Sequence, residues 1–289
     1  VVDKNGNLKY LVTQTDVEKS SQYPFATKDE KNRLRVLFAV ETWPDRAFER
    51  LEKGFAAGAD GVIIDTSQGF TKYENEMIAH IRKNHPEKLL IGGNISTREA
   101  IRFLEEKVDA YRCGQGSGSI CTTAGAIGIS RAGATAVYEC AKESKNLVTI
   151  ADGGLREVGD VVKALSIGAD CIMLGNMLAS TEEGPGEVTI GKRGGPVKIY
   201  RGMGSKEANV GGKMRGYSRL PQGISGEIEY KGSLHAWIPL IRDGVYSAFE
   251  VLNCKNLDEL HHRTYTGKIK YEVATPGSLK EKGVHDVMM

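Results

Sequence analysis

Short apolar runs alternate with longer amphipathic stretches between about residues 35 and 180. Six runs have the length and the Val, Ile and Leu content of strands: 36–40, 61–65, 89–92, 110–113, 148–151 and 171–175. Apolar residues recur at helical spacing between them, in 46–57, 75–84, 97–107, 133–144 and 159–168. This repeated order predicts parallel strands joined by crossover helices.

Polar and glycine-rich segments follow five of these strands. They are 65–69 (DTSQG), 92–94 (GGN), 114–121 (GQGSGSIC), 152–154 (DGG) and 175–176 (GN). In a parallel barrel all of them gather on one rim, where barrel enzymes place their substrates. A doubly wound sheet would divide them between two halves. Their shared composition therefore favours an α/β barrel.

The flanks of this region have other patterns. Residues 1–20 predict a strand, an Asn-Gly turn, a second strand and a short helix. After Glu187 the pattern is that of a hairpin, 188–191 with 197–200, followed by a polar glycine-rich segment. That segment, 201–226, has the composition of a mobile flap. Helical spacing returns in 235–263.

Composition restricts the class of protein. The chain of 289 residues is 40% hydrophobic and 26% charged, with a formal net charge of +2. Such a small net charge gives no general attraction to nucleic acid or to an anionic membrane. The absence of a long apolar run and of a signal-peptide pattern predicts a soluble protein. Five cysteines without a CxxC pair argue against a disulfide framework and favour a reducing, cytoplasmic setting.

Cys121 is the strongest candidate for a reactive side chain. It follows a run of glycines and serines, which allows a backbone conformation closed to larger residues. A thiol on such a loop can act as a nucleophile, although a cysteine can equally be a small buried apolar residue. The six histidines lie outside the strand-end segments, so a Cys-His pair has no support.

The glycines of 152–154 and 175–176 can present backbone N–H groups to a phosphate, or they can simply permit tight turns. Asp152 can accept hydrogen bonds from ribose hydroxyls, and Asp65 with Ser67 can do the same for a second sugar. Each aspartate can alternatively cap a strand end. If both contact ribose, the site holds two nucleotides.

Five motifs together resemble the IMP dehydrogenase/GMP reductase family: 92–94, 116–123 (GSGSICTT), 150–154 (IADGG), 182–187 (EEGPGE) and 200–205 (YRGMGS). The resemblance runs in order over about residues 35–289. Three further features, 222–223, 134–138 (ATAVY) and 282–286 (KGVHD), are closer to the dehydrogenase branch. The fold that the resemblance implies is a (β/α)8 TIM barrel with a flap after its last strand.

The resemblance implies a reaction and its residues. Cys121 attacks C2 of inosine monophosphate, hydride passes to NAD, and hydrolysis releases xanthosine monophosphate. The implied catalytic residues are Cys121, Thr123, Arg215 and Tyr217. The implied substrate residues are Ser119, Asp152, Gly153, Gly154, Gly175, Asn176, Tyr200, Gly202, Met203, Gly204, Gln222 and Gly223, and those for NAD are Asp65, Thr66, Ser67, Asn94, Gly114, Gln115 and Gly116.

A monovalent cation, K⁺, and a homotetramer are also implied. Backbone carbonyls of Gly116, Gly118 and Cys121 would hold the cation, completed by Glu281, Lys282 and Gly283 of a neighbouring subunit. No nucleic-acid or membrane partner is expected.

Three features depart from the pattern of the family. The water-activating Arg-Tyr pair is interrupted here, as Arg215-Gly216-Tyr217, and Ala124 replaces a polar or basic residue. The first two barrel strands have no counterpart, so we expect the chain to be a fragment or to lack segments. Residues 1–22 resemble the tail of a cystathionine-β-synthase-type module, and 23–289 the catalytic barrel, with the flap at about 201–226 and a C-terminal segment at 227–289.

Two alternatives remain open at this point. A GMP reductase would use the same cysteine, with NADPH as the reductant. A catalytically silent barrel would bind the nucleotide without turnover, for which the interrupted Arg-Tyr pair is the argument.

Overall fold

The computed structural model describes residues 1–208 and 220–281. Its helices are α1 (Gln14–Gln22), α2 (Pro44–Ala56), α3 (Lys72–Asn84), α4 (Arg98–Leu104), α5 (Thr123–Ile127), α6 (Gly133–Glu143), α7 (Val158–Ser166), α8 (Asn176–Ala179), α9 (Leu234–Val251), α10 (Leu257–Tyr265) and α11 (Pro276–Glu281). Its strands are β1 (Leu37–Val40), β2 (Gly61–Ile64), β3 (Leu89–Ile95), β4 (Ala110–Cys113), β5 (Val148–Asp152), β6 (Cys171–Met173), β7 (Thr189–Ile190), β8 (Pro196–Arg201) and β9 (Ser225–Glu229).

The first six strands form one parallel sheet in the order β1-β2-β3-β4-β5-β6. A doubly wound sheet would reverse direction at a switch point, whereas spatial order equal to chain order is that of a (β/α)8 barrel. The six predicted strands and the barrel topology are confirmed. The sheet is a curled half-barrel with edges at β1 and β6.

Residues on the two faces of this sheet differ because side chains of a strand alternate. One face packs against the helices in a large core that includes Leu90, Tyr111 and Ala151. The opposite face holds a small cluster of Ile91, Ala110 and Ile150, with Ile63 and Met173 packed against it. This inner cluster lies directly beneath the carboxyl ends of the strands.

A second sheet follows the half-barrel, in the antiparallel order β7-β8-β9. The predicted hairpin of β7 and β8 is confirmed. The third strand was not predicted, because its sequence, Ser225–Glu229, is mostly polar. Pairing of Arg201 with Ser225 brings together the two ends of the segment that the sequence identifies as a flap.

The N-terminal segment has the predicted elements in reduced form. A single antiparallel bridge joins Val2 to Leu8, and Thr13 caps α1. The Tyr23 hydroxyl lies 3.2 Å from Nδ1 of His235 on α9. The assignment of residues 1–22 to a cystathionine-β-synthase-type module stays a prediction.

The helical pattern of 235–263 corresponds to two helices, α9 and α10. They are separated by a turn in which Asn253 has a positive φ of 51° and Asn256 caps α10. Among the described residues, no helix combines the length and the apolar character needed to cross a membrane.

Glu183 holds the N-terminus of α9. Its carboxylate accepts hydrogen bonds from the Ser233 hydroxyl at 2.6 Å and from the Leu234 backbone N–H at 2.7 Å. These two bonds lower the pKa of Glu183 to about 2, and the bond from Ser233 has the larger effect. The carboxyl group therefore stabilises the fold when it is ionised, at pH values above the range in which it titrates in the unfolded chain.

We expect Glu183→Gln to lower the melting temperature near pH 7, because an amide cannot accept both hydrogen bonds. The difference from the unmodified chain should shrink as the pH falls from about 4.5 towards 2, where the native carboxylate takes up its proton. A melting series across this range tests it, with Glu182→Gln as the control on a neighbouring exposed carboxylate. A difference that does not vary with pH would contradict the role of the charge.

Candidate functional site

The cysteine loop leaves the end of β4 through glycines that no other residue can replace without movement. Gly114 has φ of 156°, and a Cβ there would lie 2.0 Å from the backbone oxygen of Asp152. Gly116 has φ of 77°, and its Cβ would lie 2.7 Å from that of Ser130. The loop therefore packs tightly against the end of β5 and the segment after α5.

Cys121 lies at the end of this loop and is half-buried. Its Sγ lies 3.0 Å from Oγ1 of Thr123, and its backbone N–H donates to the Gly118 oxygen at 3.0 Å. The Thr123 hydroxyl can donate a hydrogen bond to a thiolate at that distance. The geometry is that of an accessible nucleophile with a hydroxyl beside it.

The segment 222–224 pairs with the cysteine loop. Cys121 and Gly223 form an antiparallel bridge, and the Thr122 N–H donates to the Gln222 oxygen at 2.9 Å. On its other side the Gln222 N–H donates to the Gly204 oxygen at 3.0 Å. A Cβ at Gly223 would lie 3.3 Å from backbone atoms of Ile120 on one side and of Gly204 and Ser205 on the other. Three predicted substrate segments thus meet at Cys121.

The other predicted substrate residues lie at the ends of β5, β6 and β8. A Cβ at Gly153 would lie 2.4 Å from Oγ of Ser117, and one at Gly175 would lie 2.8 Å from the Tyr200 hydroxyl. Burial raises the pKa of Tyr200, and the charge of Asp152 raises it further. Asp152, Gly175 and Tyr200 are therefore neighbours. Of the remaining predicted residues, Ser119, Gly154 and Met203 are exposed, Gly202 is buried, and Asn176 begins α8.

Arg112 joins the two aspartates that the sequence identifies as ribose-binding. It is a residue of β4, and its guanidinium forms a salt bridge with Asp65 after β2 and lies 3.9 Å from the Asp152 carboxylate. The Asn94 amide donates to Asp152 at 2.8 Å and to the Gly114 oxygen at 2.9 Å. Sequence reasoning missed Arg112. The signal was strand alternation, because Arg112 is two residues after the inward-facing Ala110.

Two polar atoms beside Asp152 are buried and have no hydrogen-bond partner among the described residues. They are Oδ1 of Asn94, an acceptor, and Nε of Arg112, a donor. Buried polar groups in native proteins normally have partners. A ligand with hydroxyl or amide groups would supply both, so the residues present fit a nucleoside or a nicotinamide.

Gln115 connects the loops of the predicted cofactor side. Its amide donates to the Ser67 oxygen at 3.2 Å and accepts from the Ser96 hydroxyl at 3.1 Å. Its backbone pairs with Arg131. The loops after β2, β3 and β4 are thereby held together, and Thr66 lies among them.

The predicted cation ligands are partly described. The Gly118 oxygen already accepts one hydrogen bond, from Cys121, and a carbonyl oxygen has a second lone pair for an ion. Glu281 ends α11, and no described hydrogen bond or ion pair joins it to the cysteine loop. Lys282, Gly283, Arg215 and Tyr217 lie outside the described residues. The described residues include no cluster of His, Cys, Asp and Glu side chains suited to a metal.

Comparison with known proteins places this geometry among related chains. Residues 2–285 match the family described as "IMP dehydrogenase / GMP reductase domain". The chain is 39% identical to inosine-5'-monophosphate dehydrogenase of Aquifex aeolicus and 35% identical to that of Caenorhabditis elegans. The matches cover 100% and 99% of this chain, which spans 60% and 56% of those relatives.

A solved structure is also similar over the whole chain. It is a cysteine-to-alanine variant of GMP reductase from Trypanosoma brucei in complex with guanosine 5'-monophosphate. The TM-score is 0.90 at 33% sequence identity, covering 100% of this chain and 60% of that one.

Proposed function

This chain belongs to the IMP dehydrogenase/GMP reductase family, and from that premise we propose that it oxidises inosine 5'-monophosphate to xanthosine 5'-monophosphate with NAD⁺. The observation that carries the proposal is the position of Cys121. Its thiol lies 3.0 Å from the Thr123 hydroxyl. Its backbone pairs with Gly223, where the three segments predicted to bind the substrate meet.

The Cys121 thiolate adds to C2 of the hypoxanthine ring, and the hydrogen on C2 leaves as a hydride. NAD⁺, when bound, accepts that hydride. Water then adds to C2 of the resulting thioimidate, loses a proton and displaces the thiolate. The products are xanthosine monophosphate, NADH and one proton. A thiolate suits both steps because it is a good nucleophile and a good leaving group.

The proposal takes the remaining roles from the resemblance to the family. Asp152 would bind the ribose of the substrate, with Tyr200 and Gly175 near its phosphate. Asp65, Ser67 and Asn94 would contact NAD. The carbonyls of Gly116, Gly118 and Cys121 would hold K⁺ and so fix the cysteine loop, in a cytoplasmic homotetramer. We retain Arg215 and Tyr217 as the proposed water-activating pair.

A single-turnover experiment on the full-length protein with inosine monophosphate and NAD⁺ tests the proposal. NADH absorbance and the mass of a Cys121 adduct would be followed together. A burst of NADH that continues into steady turnover supports the complete reaction. A burst that stops at the adduct would keep Cys121 and reject Arg215 and Tyr217. Nucleotide binding without NADH would reject the dehydrogenase.

The likeness to the GMP reductase structure supports a second candidate, reduction of guanosine monophosphate with release of ammonia. The same Cys121 would be used, and NADPH would be consumed. Measuring NADPH oxidation with guanosine monophosphate, beside NADH formation from inosine monophosphate, distinguishes the two.

We expect Thr123→Val to slow the NADH burst about tenfold, because loss of one hydrogen bond to the thiolate raises the barrier by about 1.4 kcal/mol. Binding of inosine monophosphate should change little. Thr122→Val is the matched control, since the Thr122 side chain makes no capping hydrogen bond to α5. Equal effects at both positions would show that the Thr123 hydroxyl has no specific role.

A further inference from the structure

Glu74 is a carboxyl group buried in the interior of the half-barrel wall. It lies in the first turn of α3, and it alone among the described acidic side chains is fully buried. Two glycines make room for it. A Cβ at Gly69 would lie 2.5 Å from Oε2, and one at Gly92 would lie 3.0 Å from Oε1. The local backbone is therefore shaped around this carboxyl group.

The carboxyl group contacts two segments of the proposed cofactor side, the loop after β2 and the end of β3. The Gly93 N–H donates to Oε1 at 2.7 Å, and Oγ1 of Thr66 lies 3.1 Å from Oε2. The Thr66 hydroxyl also lies 2.8 Å from the Gly93 oxygen. A hydroxyl has one proton, so it cannot donate fully to both acceptors. A proton on Oε2 resolves the conflict, because Glu74 then donates to Thr66 and Thr66 donates to Gly93.

We propose that Glu74 acts as a neutral carboxylic acid and is a positioning residue for the dinucleotide half of the site. Three hydrogen bonds form this relay: the Gly93 N–H donates to Glu74, Glu74 donates to the Thr66 hydroxyl, and that hydroxyl donates to the Gly93 oxygen. It joins the loop that carries Asp65 and Ser67 to the strand end that carries Asn94. Only the identity of the ligand as NAD rests on the proposed function.

Backbone hydrogen bonds around Glu74 show how closely the loop after β2 and the end of β3 are joined. The Asn94 N–H donates to the Thr66 oxygen at 3.0 Å, and the Gly69 N–H donates to the Asn94 oxygen at 2.7 Å. The Asn94 side chain in turn holds Asp152. A shift at Glu74 would therefore move ligand-binding groups without Glu74 touching the ligand.

The electrostatics favour the protonated form of Glu74 below about pH 7. Burial raises the pKa of Glu74 to about 7, although hydrogen bonds from Gly93 and Thr66 to the ionised carboxylate and the charge of Arg112 lower it. Arg112, on β4, is the charged group that faces it, and its guanidinium is already bound to Asp65. The neighbours of the carboxyl group on the loop after β2 and on β3 are Thr66, Gly69 and Gly92, which carry no charge.

The first test needs no ligand. A carboxyl group with a raised native pKa destabilises the fold as the pH rises from its unfolded pKa to its native one. The melting temperature of Glu74→Gln minus that of the unmodified protein should therefore increase between about pH 5 and 7 and then level off. Glu76→Gln, on an exposed carboxylate of the same helix, should show no such increase. If the melting-temperature difference for Glu74→Gln did not change with pH, the proposal that Glu74 is a neutral acid would be wrong.

The second test measures dissociation constants for NAD⁺ and for NADPH by calorimetry in the full-length protein. Glu74→Val should weaken binding of the cofactor about tenfold, as expected for loss of one connecting hydrogen bond. Affinity in the unmodified protein should fall about threefold as Glu74 ionises, and Glu74→Gln should remove that pH dependence. Glu76→Gln should behave as the unmodified protein.

These results separate the inference from the proposed function. NADH production with cofactor affinity insensitive to Glu74→Val would overturn the positioning role alone. Binding of NADPH that depends on Glu74, without NADH production, would overturn the proposed reaction and support the positioning role.

Discussion

Replacing Cys121 with serine is expected to lower the rate of NADH formation about 10³-fold or more while inosine monophosphate still binds. A serine hydroxyl is far less acidic than a thiol, so the nucleophile would remain protonated. The described structure offers it no histidine as a base, because the five described histidines lie on α3, α9 and α10 or at the end of α3: His80, His85, His235, His261 and His262. The covalent adduct should disappear with the activity.

Cys171→Ser is the matched control. Cys171 begins β6. Partial burial of its thiol and the charge of Asp170 raise its pKa, so it is a poor nucleophile at neutral pH. This variant should keep both the NADH burst and the adduct mass. An adduct that persists in Cys121→Ser and is lost in Cys171→Ser would identify Cys171, at the start of β6, as the nucleophile. That result would reject the proposed site.

Replacing Gly114 with alanine is expected to cost about 3 kcal/mol of folding free energy. The new Cβ would lie 2.0 Å from the Asp152 oxygen, and the backbone at φ of 156° is itself unfavourable for alanine. Neither backbone can retreat easily, since Gly114 follows β4 directly and Asp152 ends β5, and these strands pair up to Cys113 and Ala151. The free energy of unfolding in urea measures the effect.

Gly125→Ala gives the comparison for Gly114. Gly125 lies within α5, and a Cβ there would meet nothing within 4 Å. Alanine favours the helix, so this variant should be stabilised by about 0.5–1 kcal/mol. If Gly114→Ala unfolded at the same urea concentration as the unmodified chain, the close contact between β4 and β5 would not exist in solution.

The organisation of the half-barrel was accessible from the sequence because each strand contains a compact apolar run. All six predicted parallel strands are present, with bounds that differ by a few residues. The cysteine loop was accessible for a related reason. Its run of glycines predicts a backbone with positive φ values, and Gly114 and Gly116 have positive φ.

Other features depend on contacts between residues far apart in the chain. The pairing of Cys121 with Gly223 joins segments about one hundred residues apart, and the polar strand β9 forms only by pairing with β8. No local pattern encodes such a register. Arg112 looks like an ordinary strand residue until the curl of the sheet brings Asp65 and Asp152 to its two sides.

The sequence by itself determined the parallel βα order, the family and the loop that carries Cys121, because periodicity and glycine spacing are local properties of the chain. Only the tertiary structure decided which groups share an environment. Glu74 lies just before the predicted helix 75–84, yet burial between Gly69 and Gly92 lets it connect the loop after β2 to the end of β3. Burial and electrostatic environment arise from packing, and a linear pattern does not contain them.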